Sequence, residues 1–200
     1  GNPENITALT ISRSRLIDLM HKTQFAMAIQ DVRYYLTGML FDVSQQQLTT
    51  VATDGHRLAL ARSVIDIDSD LNMQAILPRK AVIELERLAT ELGKMLGDKD
   101  NNVTLSFGRE FLQVSLPFGE VDSTGQVSTD LMVTFTARLI DGKFPDYRRV
   151  MPSNTDKLAL FSKEKMTDVL RRVAILSNEK SRGVVFNFAS DGMVEIRANN

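Results

Sequence analysis

The sequence predicts an α+β fold dominated by antiparallel sheet, and three observations carry that expectation. Three segments with helical spacing of apolar residues stand far apart in the chain. Between them lie runs rich in branched and aromatic residues, joined by short polar turns. The first helix-and-strand unit then recurs about 150 residues later. A chain of 200 residues with 43% hydrophobic and 24% charged residues is long enough to bury a sizeable core.

In chain order, the first helix is predicted over Ser12–Gln30, capped by Ser12, with Leu16, Leu19, Met20, Thr23 and Met27 on one stripe. The following run VRYYLTGMLFDV is strand-prone. The turn Ser44-Gln45-Gln46, the strand LTTVAT, the punctuation Asp54-Gly55 and the strand RLALARSVI complete an antiparallel meander. Pro78 opens a second helix over Pro78–Leu96, in which Val82, Leu85, Leu88, Leu92 and Leu96 form the apolar stripe. Strands VTLSFG, FLQVSLPFG and LMVTFTARLI follow, with an exposed, acidic loop at Gly119–Ser128.

A third helix over Ser162–Asn178 aligns with the first. Leu16 meets Met166, Asp18 meets Asp168, Leu19 meets Val169 and Met20 meets Leu170. Each copy continues into a hydrophobic strand, a polar turn and another strand, and the second copy stops at Asn199-Asn200. The expected organisation is one complete domain with its link over residues 1–152, then the first half of a related domain over 153–200, cut from something longer.

Charge and composition narrow the function classes. Cysteine is absent, which removes disulfides, thiolate metal sites and a cysteine nucleophile and fits a reducing cytosol. No apolar run approaches the ~20 residues of a membrane span, so a cytoplasmic location without membrane contact is expected. Net charge is −1, yet the three predicted helices hold eleven Lys and Arg against six Asp and Glu. Helices thus lean basic and the remainder acidic, which is either chance or a two-faced molecule.

His56 lies beside Asp54 and Arg57, and Asp54 could orient it as the general base of a small hydrolase. The bland reading is a hairpin turn, because no nucleophile elbow accompanies the pair, and neither ligand spacing for a metal nor a phosphate-cradling glycine loop is present. In Gln30-Asp31-Val32-Arg33-Tyr34-Tyr35, adjacent tyrosines beside an arginine suit stacking on nucleic acid, or one ring packs inside. Phe144–Val150 reads as an interdomain connector or as one wall of a peptide groove. Ile175 and Leu176 read as core or as an intersubunit patch, core being the simpler.

The segments VRYYLTGML, TVATDGHRLALA, LPRKAVIEL, DGKFPDYRRVMP and AILSNEKSRGV, in this order along nearly the whole chain, resemble the bacterial DNA polymerase III beta subunit, the sliding clamp. The resemblance implies a DNA-clamp fold, with antiparallel sheets and helices on the inner face, comprising a middle domain and the start of a third. It implies a non-enzymatic processivity factor of DNA replication without cofactor or metal, whose parent is a head-to-tail homodimer around duplex DNA. Polymerase subunits, the clamp loader and repair proteins would insert a short linear motif with glutamine and hydrophobic residues into a pocket. A stand-alone peptide-binding module is the other non-enzymatic alternative.

Carried over residue by residue, the resemblance places the peptide pocket at Leu36, Thr53, Gly55, His56, Arg57, Leu58, Pro145, Arg149 and Val150. It places DNA contacts at Gln30, Tyr34, Tyr35, Arg79 and Lys80, and the dimer contact at Ile175 and Leu176. Ile29 departs from the polar residue expected beside Gln30, and Gly97–Asp130 is longer than the family pattern, which suggests an extended outer hairpin. The expectation for the isolated piece is that it cannot encircle DNA and binds the motif weakly or not at all.

Overall fold

A computed structural model describes residues 6–68, 70–128, 130–177 and 182–198. The chain forms two compact units, Gly1–Val150 and Met151–Asn200. The first unit is built from a β-α-β-β-β motif used twice. One copy comprises β1 (Thr7–Ser12), α1 (Arg13–His21), β2 (Gly38–Ser44), β3 (Gln47–Thr53) and β4 (Leu58–Val64). The other comprises β5 (Met73–Pro78), α2 (Arg79–Met95), β6 (Asn102–Phe107), β7 (Phe111–Phe118) and β8 (Leu131–Arg138).

The copies exchange their first strands. One four-stranded sheet runs β1-β6-β7-β8 and the other β4-β3-β2-β5, all neighbours antiparallel. Strands β1 and β5 had no counterpart in the sequence reading. Each is six residues long and precedes a helix directly, so its short alternation merges with the helical pattern.

The main core lies between the sheets and the helix pair, where Leu16, Leu19 and Met20 of α1 and Val82, Leu85 and Ala89 of α2 meet Met39, Phe41, Leu105 and Val114. Strand β2 is buried on both faces. Met39, Phe41 and Val43 point to this core, while Leu40 joins a second, smaller cluster with Ala28, Leu36, Val51, Ile76, Phe144 and Tyr147. That second cluster is where the segment before β2 and the segment after β8 cover the outer face of the β4-β3-β2-β5 sheet.

The first helix is shorter than its periodicity suggests. It stops at His21, because the Leu19 carbonyl accepts from the Thr23 hydroxyl at 2.7 Å and from the Thr50 hydroxyl of β3 at 2.8 Å. The backbone N–H of Thr23 donates instead to Met20, and the chain continues as a 3₁₀ turn at Gln24–Ala26. Tyr34–Thr37 is likewise a 3₁₀ turn rather than strand: Leu36 N–H donates to the Arg33 carbonyl and the Thr37 hydroxyl to the Tyr34 carbonyl. Between β2 and β3, Gln45 and Gln46 both adopt positive φ, 52° and 57°, as a two-residue turn of the primed type requires.

Helices α1 and α2 are tied at their ends by Arg13, a buried cation. Its Nε donates to Asn101 Oδ1 at 3.0 Å, Nη1 to the Ala89 carbonyl at 3.4 Å, and Nη2 to the Lys99 carbonyl. Gly93 of α2 makes room for it, since a Cβ there would lie 1.9 Å from Arg13 Nη1.

The second unit consists of α3 (Lys163–Ile175) and the hairpin β9 (Val184–Phe188) with β10 (Val194–Ala198). Ser162 caps α3 by accepting from Lys165 N–H, as Ser12 caps α1 by accepting from Arg15 N–H. The repeat seen in the sequence therefore extends to the cap. The expected helix end at Asn178, the NEKS portion of AILSNEKSRGV, and the Asn199-Asn200 strand end lie outside the described residues. Among the described residues no helix is long and apolar enough to cross a membrane.

Candidate peptide and nucleic-acid surfaces

The candidate pocket residues of the first unit come together around the second apolar cluster. Leu36 is only 2% exposed and forms floor rather than wall, while Leu58 is half-buried against the same cluster. Pro145, Arg149 and Val150 stand exposed on the segment whose neighbours Phe144 and Tyr147 are buried in that cluster. Val150 keeps 67% of its surface accessible.

The loop joining β3 to β4 is shaped by its own side chains. Asp54 Oδ1 accepts from the N–H groups of His56 and Arg57 at 2.9 and 3.1 Å, and the Thr53 hydroxyl donates to the Arg57 carbonyl while accepting from Gly55 N–H. Gly55 has φ +87°, and a Cβ there would come within 3.0 Å of the Arg33 guanidinium. The backbone N–H of His56, foremost, and that of Arg57 hold the Asp54 carboxyl below the usual carboxylate range.

Cations brace this loop from both sides. The Arg57 guanidinium donates to the Phe25 carbonyl at 2.7 Å, lies 5.3 Å from the centre of the Phe25 ring, and pairs with Asp54 Oδ2 at 3.3 Å. Arg33 grips Asp31 through Nε and Nη2 at 2.9 and 2.7 Å. That side-chain hydrogen bonding depresses the Asp31 carboxyl to about 2.

The hydrolase reading of His56 and Asp54 loses its geometry here. Asp54 spends Oδ1 on two backbone donors and Oδ2 on Arg57, so the carboxylate that was to orient the imidazole is a turn cap.

The segment after β8 is fastened to the sheet by a residue that the sequence reading missed. Asp42 of β2 is 2% exposed, and its Oδ2 accepts from the Tyr147 hydroxyl at 2.9 Å, Arg148 Nη2 at 2.9 Å and Gln74 Nε2 at 3.1 Å. Burial first, and then the hydrogen bond to Asp42, push the Tyr147 hydroxyl above its ordinary pKa. The one available signal was a lone Asp in an otherwise apolar strand run, GMLFDV.

The candidate DNA contacts divide. Gln30, Tyr34 and Lys80 are exposed, whereas Tyr35 packs partly against the second cluster and Arg79 is half-buried. The Tyr34 hydroxyl donates to the Asp141 carbonyl at 2.9 Å, and the two tyrosine rings meet edge to face at 5.7 Å.

Helices α1 and α2 pack on one another and leave Arg15, Lys22, Lys80, Arg87 and Lys94 exposed. This stripe is less basic than the residue count indicated. Arg13 is interior, Arg87 and Lys94 pair with Glu84 and Glu91 one turn away, and Lys22 lies 3.8 Å from Asp18. Ile175 and Leu176 of the second unit are 82% and 69% exposed, at the end of a helix that has no buried residue. Among the described residues no cluster of ligating side chains could hold a metal ion.

The family description DNA polymerase III beta subunit, central domain, matches residues 10–146, and DNA polymerase III beta subunit, C-terminal domain, matches residues 148–200. The chain belongs to the DNA polymerase III beta subunit family. It is 42% identical over 191 residues to the beta sliding clamp of Pseudomonas aeruginosa, covering 96% of this chain and 46% of that protein. It is 41% identical over 191 residues to the beta sliding clamp of Escherichia coli, again covering 96% of this chain and 46% of that protein.

A crystal structure of the Pseudomonas aeruginosa sliding clamp superposes with a TM-score of 0.81 at 40% identity, covering all of this chain and 49% of that one. A clamp structure from the same organism bound to griselimycin gives 0.76 at 35% identity, covering 100% of this chain and 52% of that one. The chain therefore spans about half the length of the curated relatives it matches. The antiparallel sheets with few helices expected for a clamp are the architecture found.

Proposed function

We propose that this chain supplies part of a ring that encloses duplex DNA and offers partners a surface for short linear motifs. Family membership over both matched segments, 10–146 and 148–200, is the observation that carries the reading. The role is mechanical and non-catalytic: a cytoplasmic processivity factor holds its polymerase on the template by topology. Residues 1–152 act as a middle domain and 153–200 as part of a third.

On this reading the exposed α1–α2 surface, with Arg15, Lys22, Lys80, Arg87 and Lys94, faces the phosphates, and Gln30, Tyr34, Tyr35 and Arg79 flank it. Attraction spread over a few surface cations is diffuse and salt-sensitive, and so permits sliding. The local Glu partners of Arg87 and Lys94 weaken the hold further, which suits a ring that must move.

The motif surface centres on Leu58 and the buried Leu36, with Pro145 and Val150 as apolar walls. Thr53, Gly55, His56, Arg57 and Arg149 provide polar groups along its rim. Polymerase subunits, the clamp loader and repair proteins are the expected partners. Ile175 and Leu176 would meet a second subunit in a head-to-tail dimer, in keeping with two large exposed apolar side chains at a helix end.

The test exchanges the matching segment of the Pseudomonas aeruginosa clamp for this chain, loads the product with that organism's loader, and compares retention on circular and linearised plasmid. Retention on circles with loss from linear ends is expected. Equal retention on both would count against enclosure and favour a simple binding module.

A further inference from the structure

The second apolar cluster contains one buried charge, and its position relative to the motif surface gives it a use. Asp42 sits on β2 between Leu40 and Ser44, on the face that carries the cluster. Gln74, its register partner on β5, donates to Oδ2 from the neighbouring strand. The other two donors, Tyr147 and Arg148, come from more than one hundred residues away and occupy the 3₁₀ turn Tyr147–Val150. Arg148 also donates to Ser44 Oγ at 3.3 Å, and its guanidinium stacks 4.9 Å from the centre of the Tyr147 ring.

A turn of four residues holds little structure of its own. Within it, Arg149 N–H donates to the Asp146 carbonyl, and Arg149 Nε pairs with Asp146 Oδ2 at 3.0 Å on the surface. Such exposed pairing contributes little. Two directional attachments of this turn to the sheet converge on one carboxylate oxygen, with the longer Arg148 bond to Ser44 Oγ beside them, and Phe144 and Tyr147 add apolar contact.

We propose that Asp42 is the positioning residue of the motif surface: by holding Tyr147 and Arg148, it sets where Pro145, Arg149 and Val150 stand relative to Leu58. This rests on the reading of that surface as the motif site. Asp42 itself touches no peptide, because it lies beneath the turn.

The chemistry calls for this residue type. All three partners are donors, and a carboxylate oxygen presents acceptor lone pairs alone. An asparagine of the same shape could accept from Tyr147, but it lacks the charge that holds Arg148, and its amide nitrogen would bring a donor among donors. The turn then becomes free to swing while the β4-β3-β2-β5 sheet keeps its ladder.

The experiment titrates a labelled peptide with the glutamine-and-hydrophobic motif into the hybrid clamp that carries this chain in place of the matching Pseudomonas aeruginosa segment, and into its Asp42→Asn, Asp42→Glu and Tyr147→Phe variants, and follows amide hydrogen exchange in each. In Asp42→Asn, affinity is expected to fall about tenfold, the scale of a lost hydrogen bond to a charged group. The amides of Arg149 and Val150 should exchange at least about tenfold faster while those of Thr49–Ala52 in β3 stay unchanged. Asp42→Glu restores part of both losses, and Tyr147→Phe shows a smaller fall in affinity.

Unchanged affinity in Asp42→Asn, with the unmutated hybrid binding, overturns the proposal and leaves the motif surface standing. Equal acceleration of exchange across the turn and β3 overturns it too, since Asp42 would then serve general stability. Absence of peptide binding by the unmutated hybrid overturns the motif surface and this proposal together, and exchange then reports only whether Asp42 anchors the turn.

Discussion

A methyl group added at Gly93 tests the Arg13 tie between α1 and α2, because two opposing effects predict different signs. On an ordinary helix, replacing glycine by alanine stabilises by roughly 1 kcal/mol. At this position the new Cβ would lie 1.9 Å from Arg13 Nη1 and 2.7 Å from Cζ, so the guanidinium must move. Moving it breaks the bonds to Asn101, Ala89 and Lys99 and leaves a cation that is 6% exposed without its acceptors. Hydrogen bonds to charged groups contribute about 1.5–3 kcal/mol each, and breaking a buried charge's pairing costs about 3–5 kcal/mol in comparable cases. With the propensity gain subtracted, Gly93→Ala should destabilise by about 2–4 kcal/mol.

Urea unfolding followed by circular dichroism reads this as a lower midpoint at unchanged slope. The decisive companion is Arg13→Met, in whose background Gly93→Ala should become neutral or stabilising. A Gly93→Ala variant more stable than wild type in the original background would refute the tie. So would equal destabilisation in both backgrounds, since additivity denotes sites that do not interact.

Leu58→Asp should weaken peptide binding by about 3 kcal/mol, the order for burying an unpaired carboxylate, with calorimetry as the measurement and unchanged affinity as the contrary result. For pH, the Asp31 carboxyl has its ordinary value near 3.8 lowered to about 2, so its contribution is complete above 3.8 and is lost as pH falls toward 2. Carbon-detected titration should find Asp31 ionised at pH 3 and return it toward 3.8 in Arg33→Ala; no change in that variant would detach the shift from Arg33. His56→Ala should alter peptide affinity and remove no turnover, while loss of a hydrolytic activity would revive the enzyme reading.

Much was legible in the sequence because it depends on local chemistry. The α2 stripe, the Ser12 cap, the Gln45-Gln46 turn and the β2-β3-β4 meander follow from periodicity, capping and turn residues acting over a few positions. The same holds for the recurrence of the first motif and for the family resemblance.

Tertiary structure helped decide where α1 ends, because one of the two hydroxyls that take the Leu19 carbonyl comes from Thr50, thirty-one residues away. It decided that β1 and β5 trade places between the two motifs, since strand pairing over such separations leaves no local pattern. It also sorted the charges. Arg13 looked like one more cation on a basic helix and is an interior clamp, and Asp42, not singled out within its strand run, carries the attachment of a distant turn. A charged side chain's role is set by which donors and acceptors the fold brings to it, and sequence spacing does not record those partners.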